Sequence, residues 1–348
     1  MFYKTLGKSD LKVSAYCLGT MTFGETTDQE DAHQQINESI ENGINFIDTA
    51  EMYPTCPIRK ETTGATEEIV GNWLEKNKKK RKSLILATKV VGNGFKNIRN
   101  GEPICGKSIK RAITGSLKRL KTDYIDLYQL HWPNRGSYHF RAYWDYAPKI
   151  QNTDKINNEF LEIIETLNEL KKNGTIRYIG LSNDTCWGVM KFLENLKRHQ
   201  NLKLVSIQNE YSLMCRLFDY DFNELSLNEN ISLLAYSPLA RGLLTGKYLK
   251  GKIPNGSRLS RDDKIKKILN KNSNAAVQDY CKLAKKYELD IVHLALAFCN
   301  QRPFMGSVIF GATTVTQLRR IAKGFDLKLN DEMLLEIKTL HKKHPLTF

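Results

Sequence analysis

The sequence predicts an α/β fold, a closed (β/α)8 TIM barrel spanning residues 1–348 as one domain, on three observations. Eight short apolar runs recur along the chain. Each is followed by a stretch with helical spacing of its apolar residues. The length of 348 residues suits a barrel, which commonly needs ~250 residues plus insertions.

In chain order the expected strands are Tyr16–Gly19, Ile44–Asp48, Leu84–Lys89, Tyr124–Leu130, Ile176–Ser182, Leu204–Asn209, Ile231–Ser237 and Val308–Gly311. Strands that are apolar nearly throughout belong to a parallel sheet covered by helices. The intervening helices show in Ile109, Ile113, Leu117 and Leu120, and again in Phe160, Ile163, Ile164, Leu167 and Leu170. The second of these ends at Asn173-Gly174, a helix stop signal. Eight such units favour closure over an open doubly wound sheet.

Two connections are long. Pro133 to Asn158 follows the fourth strand, and Thr245 to Asn274 follows the seventh. In a barrel both belong to the C-terminal face, where active sites form. The first holds Tyr138, His139, Phe140, Tyr143, Trp144 and Tyr146, and is expected to be an ordered loop bordering a pocket. A subunit contact is the alternative use of such a patch, which leaves a homo-oligomer open.

The formal net charge is +15. Its densest cluster, Lys76 to Lys82, directly follows an amphipathic stretch. It reads as the solvated end of a helix, because no nucleic-acid motif accompanies it. No run approaches the ~20 apolar residues that span a bilayer, and Met1 to Asp10 carries no apolar leader core. A cytoplasmic protein without nucleic-acid or membrane partners is therefore expected. The seven cysteines are scattered, with no C-x-x-C pair, so free thiols and no metal site are expected.

Strand ends carry the chemistry. Asp48 closes the second strand, with Tyr53 shortly after it. Lys89 closes the third, and His131 follows the fourth. A carboxylate, a lysine and a histidine at the C-terminal ends of adjacent barrel strands read as catalytic by position.

This constellation resembles the aldo-keto reductases. The resemblance runs from Leu18-Gly19-Thr20-Met21-Thr22-Phe23-Gly24 to Gly311-Ala312-Thr313-Thr314. Tyr53-Pro54, Glu61-Thr62, Gly71-Asn72-Trp73-Leu74 and the insert after His131-Trp132-Pro133 resemble the Tas-like branch. It implies a tetrad of Asp48, Tyr53, Lys89 and His131 that reduces an aldehyde or ketone with NADPH. Hydride transfer to a carbonyl leaves charge on oxygen, so a proton must follow. A phenol, with an ordinary pKa near ~10, is a reluctant acid at neutral pH. The Lys89 ammonium would ease its ionisation, and Asp48 would orient Lys89. His131 would hydrogen-bond the carbonyl. Tyr53 is the expected acid.

Cofactor contacts follow from the same resemblance. Ser182, Asn183 and Gln208 would grip the nicotinamide carboxamide, and Tyr236 would stack on its ring. Ser237, Leu239 and Arg241 would hold the pyrophosphate. Gly311, Thr313 and Gln317 open a helix that offers free amides to the adenosine 2′-phosphate. Lys247 and Arg258 would add cations, which favours NADPH over NADH. Arg320 and Ile321 depart from the family, which often has an acidic residue and an asparagine there for adenine. No G-x-G-x-x-G follows the first strand, so a Rossmann domain is not expected. The alternative reading is a cofactor-binding regulatory subunit resembling potassium-channel β subunits, with slow or no turnover. Specificity resides in the loops of a barrel, so the expected partner is a small-molecule carbonyl compound of no finer class.

Overall fold

The computed structural model describes residues 1–199, 201–261 and 266–348. Eight parallel strands follow the expected series: β3 (Tyr16–Gly19), β4 (Phe46–Asp48), β5 (Ile85–Val90), β6 (Ile125–Leu130), β7 (Ile176–Ser182), β8 (Leu204–Glu210), β9 (Ser232–Tyr236) and β10 (Met305–Phe310). They close in the order β10-β3-β4-β5-β6-β7-β8-β9. Their ends differ from the sequence expectation by a few residues.

A hairpin that sequence reasoning missed precedes the barrel. Its strands are β1 (Tyr3–Thr5) and β2 (Lys12–Ser14), paired antiparallel. Both are too short to show an alternating pattern. Leu6, Leu11 and Val13 of this segment cluster with Cys17, Phe46, Ile85, Ala87, Leu127, Val205, Leu234 and Ile309. The hairpin thus plugs the N-terminal end of the barrel. Asn45 stitches it in place, accepting from Ser14 N at 2.7 Å and donating to Lys12 O at 2.8 Å.

Inward-facing positions recur every second residue. They run from Phe46 to Asp48 on β4, from Ile85 through Ala87 to Lys89 on β5, and from Leu127 to Gln129 on β6. Each series begins apolar at the plugged floor and ends polar at the C-terminal mouth.

Helices α1 (Gln29–Glu41), α2 (Ala65–Lys76), α3 (Gly106–Leu120), α4 (Thr153–Lys172), α5 (Cys186–Leu196) and α6 (Asp221–Glu229) cover the barrel. A four-residue helix α7 (Arg258–Arg261) and the longer α8 (Lys271–Lys286) and α9 (Ile291–Asn300) separate β9 from β10, and α10 (Val315–Ala322) and α11 (Asp331–Lys343) follow. Helix α4 buries Ile156, Phe160, Ile163, Ile164, Leu167 and Leu170, the stripe its spacing predicts. It starts earlier than expected because Asn152 caps it, its side chain accepting from Lys155 N at 2.9 Å. The first long loop therefore ends at Asn152, not Asn158. The second contains α7 and reaches α8, and its residues 262–265 lie outside the described residues.

The basic run behaves differently from its sequence reading. Helix α2 ends at Lys76, and Lys78–Ser83 forms a separate 3-10 turn. Arg81 is buried, bonded to Asp126 at 2.8 Å and lying 3.9 Å from the Tyr124 ring centre. A partner on another strand took one cation of the cluster out of water. All seven cysteines are free. Among the described residues no helix is long and apolar enough to cross a membrane.

Candidate active site

The inward residues at the mouth form one hydrogen-bonded layer. Lys89 Nζ donates to Asp48 Oδ2 at 2.6 Å and to Thr49 O at 2.8 Å. Asp48 Oδ1 accepts from Gln129 Nε2 at 3.1 Å and from Gln208 Nε2 at 3.0 Å. Gln208 Nε2 also reaches Gln129 Oε1 at 3.1 Å. Burial opposes the charge on Lys89, but Asp48 and Tyr53 outweigh it and hold the ammonium above its ordinary pKa. A buried charge survives only when paired and hydrogen-bonded in this way. Gln129 was not singled out from sequence. Its signal is one polar residue at an inward position of an otherwise apolar strand end.

Tyr53 reaches this layer through a sharp turn after β4. Thr49 N bonds Ala87 O at 2.9 Å and Glu51 N bonds Lys89 O at 3.2 Å, prolonging the parallel ladder. Tyr53 N then turns back to Ala50 O at 3.1 Å. Lys89 Nζ lies 5.0 Å from the Tyr53 ring centre. The Tyr53 and His131 rings stand edge to face, 5.7 Å apart at 76°. The four tetrad residues expected from sequence are therefore brought together. Burial raises the Tyr53 pKa above its ordinary value, with Lys89 pulling the other way. The expected lowering by the ammonium is present but is outweighed by burial. Burial, reinforced by Lys89, holds His131 well below its ordinary pKa, so its imidazole is neutral. Among the described residues His131 Nδ1 is buried without a partner.

Beside the tetrad, Ser182 Oγ donates to Gln208 O at 3.0 Å. Asn183 adopts φ 53°, a left-handed conformation that asparagine tolerates. Its Nδ2 donates to His131 O at 3.0 Å, and its Oδ1 accepts from Tyr236 Oη at 2.8 Å. Ser182, Asn183, Gln208 and Tyr236 are thus contiguous with one another and with His131.

The loop after β9 is strained. Ser237, Ala240 and Arg241 all have positive φ, a conformation that clusters at functional sites. Ala240 N turns back to Ser237 O, and Gly242 N to Leu239 O, each at 2.8 Å. Burial, with Arg141 beside it, lowers the Arg241 pKa to about 10. Arg141, from the insert, pairs with Glu210 at the end of β8 at 2.5 Å. Burial favours protonation of Glu210, but Arg141, Arg241 and Arg258 together hold its pKa below the usual carboxylate value. Three guanidinium groups thus act on one carboxylate, Arg141 by direct contact. Among the described residues Arg258 Nε is buried without a partner. This surplus of cation beside orphaned donors fits a bound phosphate group. Arg141 and Glu210 escaped sequence reasoning, because their pairing spans two elements.

The remaining residues expected at the phosphates are more dispersed. Thr313 N and Oγ1 both donate to Gln317 Oε1, at 3.1 and 3.2 Å, at the start of α10. Gly311 is exposed beside them. Lys247 Nζ stands 5.1 Å from the Tyr248 ring centre. Arg258 acts electrostatically on Tyr53 and Glu210. Among the described residues no hydrogen bond joins Lys247 or Arg258 to Thr313 or Gln317. At the adenine-side positions, Arg320 forms a two-point pair with Asp290 at 2.7 and 2.8 Å, and Ile321 is buried. Among the described residues no His, Cys, Asp and Glu cluster could hold a metal ion.

A model of the Aldo/keto reductase family matches residues 15–342. The chain is 42% identical over 349 residues to Protein tas of Escherichia coli strain K12, covering 98% of each chain. It is 34% identical over 340 residues to the uncharacterized oxidoreductase YrpG of Bacillus subtilis strain 168, covering 96% of this chain and 94% of that one. It is 30% identical over 339 residues to a probable voltage-gated potassium channel subunit beta of Arabidopsis thaliana, covering 94% and 92%.

Proposed function

This chain belongs to the aldo/keto reductase family, and from that premise we propose that it is a cytoplasmic NADPH-dependent oxidoreductase that reduces aldehydes or ketones to alcohols. The observation that carries this reading is the Lys89 ammonium, held by Asp48 at 2.6 Å and lying 5.0 Å from the Tyr53 ring centre.

NADPH, when bound, supplies the hydride. Tyr53 Oη gives its proton to the carbonyl oxygen as negative charge develops there. Lys89 offsets the tyrosinate that forms, and Asp48 keeps Lys89 charged and aimed. Neutral His131 carries one ring N–H, which can donate to the carbonyl oxygen. Asn183, Gln208, Ser182 and Tyr236 would hold the nicotinamide end. Ser237, Leu239, Arg241, Lys247 and Arg258 would hold the phosphates, with Gly311, Thr313 and Gln317 at the 2′-phosphate. The partner is a small-molecule carbonyl compound, with no nucleic acid or membrane involved.

The likeness to the Arabidopsis thaliana subunit favours a second reading, a regulatory protein that retains the cofactor and turns over slowly. One experiment separates the two. Titrate NADPH and NADH by tryptophan fluorescence, then follow NADPH oxidation with a panel of aldehydes in wild type and Tyr53→Phe. The reductase reading expects tighter NADPH binding and a turnover that falls about 100-fold or more in the variant. Tight binding without turnover supports the regulatory reading. Absence of binding by either nucleotide overturns both.

A further inference from the structure

The geometry points to Glu51 and Arg99 as positioning residues that set Tyr53 for proton transfer; this rests on the reading of Tyr53 as the acid. Glu51 lies at the point where the chain leaves β4. Its backbone amide still follows the ladder, to Lys89 O at 3.2 Å. At the next rung the side chain takes over. Glu51 Oε1 accepts from Val91 N at 2.5 Å, filling the place a strand carbonyl would occupy. The backbone is thereby free to turn, and Tyr53 swings back across the end of β5 toward Lys89 and His131.

A carboxylate only 3% exposed needs further partners. Arg99 supplies them with two parallel bonds, Nη1 to Oε2 at 2.8 Å and Nη2 to Oε1 at 2.6 Å. The planar fork fixes the orientation of Glu51 as well as its charge. Arg99 sits at φ 46°, a left-handed conformation rare outside glycine. The loop after β5 is bent to deliver this one side chain.

That loop is fixed at two further points. Trp132 Nε1 donates to Asn93 O at 3.0 Å. Ile104 and Asn134 exchange two bonds, each of 2.8 Å. A Cβ on Gly92 would meet Trp132 atoms at 2.4 Å, so the backbone lies flat against the ring. Met52, Val91, Tyr53, Phe95, Ile98 and Trp132 then form one apolar cluster. The Glu51–Arg99 pair is the polar tie that joins the Tyr53 turn to this apolar wall. Neither residue reaches the reacting atoms in these contacts, so both act through Tyr53.

The test uses Arg99→Ala, Arg99→Lys and Glu51→Gln in the full chain. In Arg99→Ala, kcat for aldehyde reduction should fall about 10- to 100-fold, the cost of a displaced catalytic group. The NADPH dissociation constant should stay within about twofold, because the pair lies away from the phosphate-side residues. Guanidinium ion at millimolar concentration should restore part of kcat, and Arg99→Lys should fall between wild type and alanine because lysine cannot make the two-point bond. Hydrogen exchange gives a readout free of turnover: the amides of Val91 and Tyr53 should exchange faster while the barrel strands stay protected. An unchanged kcat, or faster exchange spread over the whole barrel, overturns the inference. If wild type itself reduces no aldehyde while the local exchange effect is present, it is the proposed function that fails.

Discussion

At the mouth of the barrel two charged groups lie close together and are built on opposite rules. Asp48, Lys89, Gln129 and Gln208 come from strand ends, and both oxygens of the carboxylate are taken. Arg141, Arg241 and Arg258 come from loops and act on the single carboxylate of Glu210. The first group is complete without a ligand. The second holds three guanidinium groups to one carboxylate, and burial, with Arg141 beside it, lowers the Arg241 pKa. Strand ends hold a charge pair that balances itself, whereas the loops hold the excess charge to which the proposed function assigns the cofactor phosphates.

The largest expected effect attacks the complete group. Lys89→Met leaves Asp48 buried beside two amides and no cation. Breaking a buried pair in this way costs about 3–5 kcal/mol. The variant should melt well below wild type and lose turnover, as thermal denaturation and an aldehyde assay would record. A melting point equal to that of wild type would break the comparison, since the layer would not then depend on its charge balance.

The incomplete group should respond with the opposite sign in stability. Arg241→Gln removes a cation that burial and two neighbouring guanidinium groups already oppose. The ligand-free variant should melt at or above wild type, while NADPH binds about tenfold more weakly, a change of about 1.4 kcal/mol. Melting curves with and without nucleotide test both halves. A variant that is less stable and binds NADPH normally would make Arg241 an ordinary structural residue.

A further effect, visible only as the pH falls, comes from the insert. Burial lowers the His139 pKa to about 4, and its Nε2 lies 2.8 Å from Asp184 O. The unfolded chain takes up this proton below ~6.5, whereas the folded chain refuses it until about 4. Stability from this group is therefore intact above the unfolded value. It is lost as pH falls through that window, by about 2 kcal/mol at pH 5. His139→Gln should remove that part of the acid slope in urea denaturation run between pH 8 and pH 5. An identical slope would show that the insert does not hold this ring neutral.

The two groups also differ in how legible they are. Asp48, Lys89 and His131 stand out because each ends an apolar run, and the ends of parallel strands share one face by geometry. Tyr53 needed the family resemblance, since nothing local says that the chain turns back at Glu51. Gln129 sits inside an apolar run and is polar only to the interior of the closed barrel. Glu210 and Arg141 lie 69 positions apart, and Glu51 and Arg99 lie 48 apart. Such pairings depend on which loops meet, and no periodicity encodes that. Arg81 shows the converse: a residue inside a run of lysines found Asp126 across the fold. The hairpin at the floor escaped because two three-residue strands carry no period.

That hairpin governs traffic. Leu6, Leu11 and Val13 seal the far end of the barrel, so nothing passes through it. On the proposed function, substrate, product, water and the proton that recharges Tyr53 would all share one doorway. A vessel with one doorway works by turns: in that reading an occupant would leave before the next could enter.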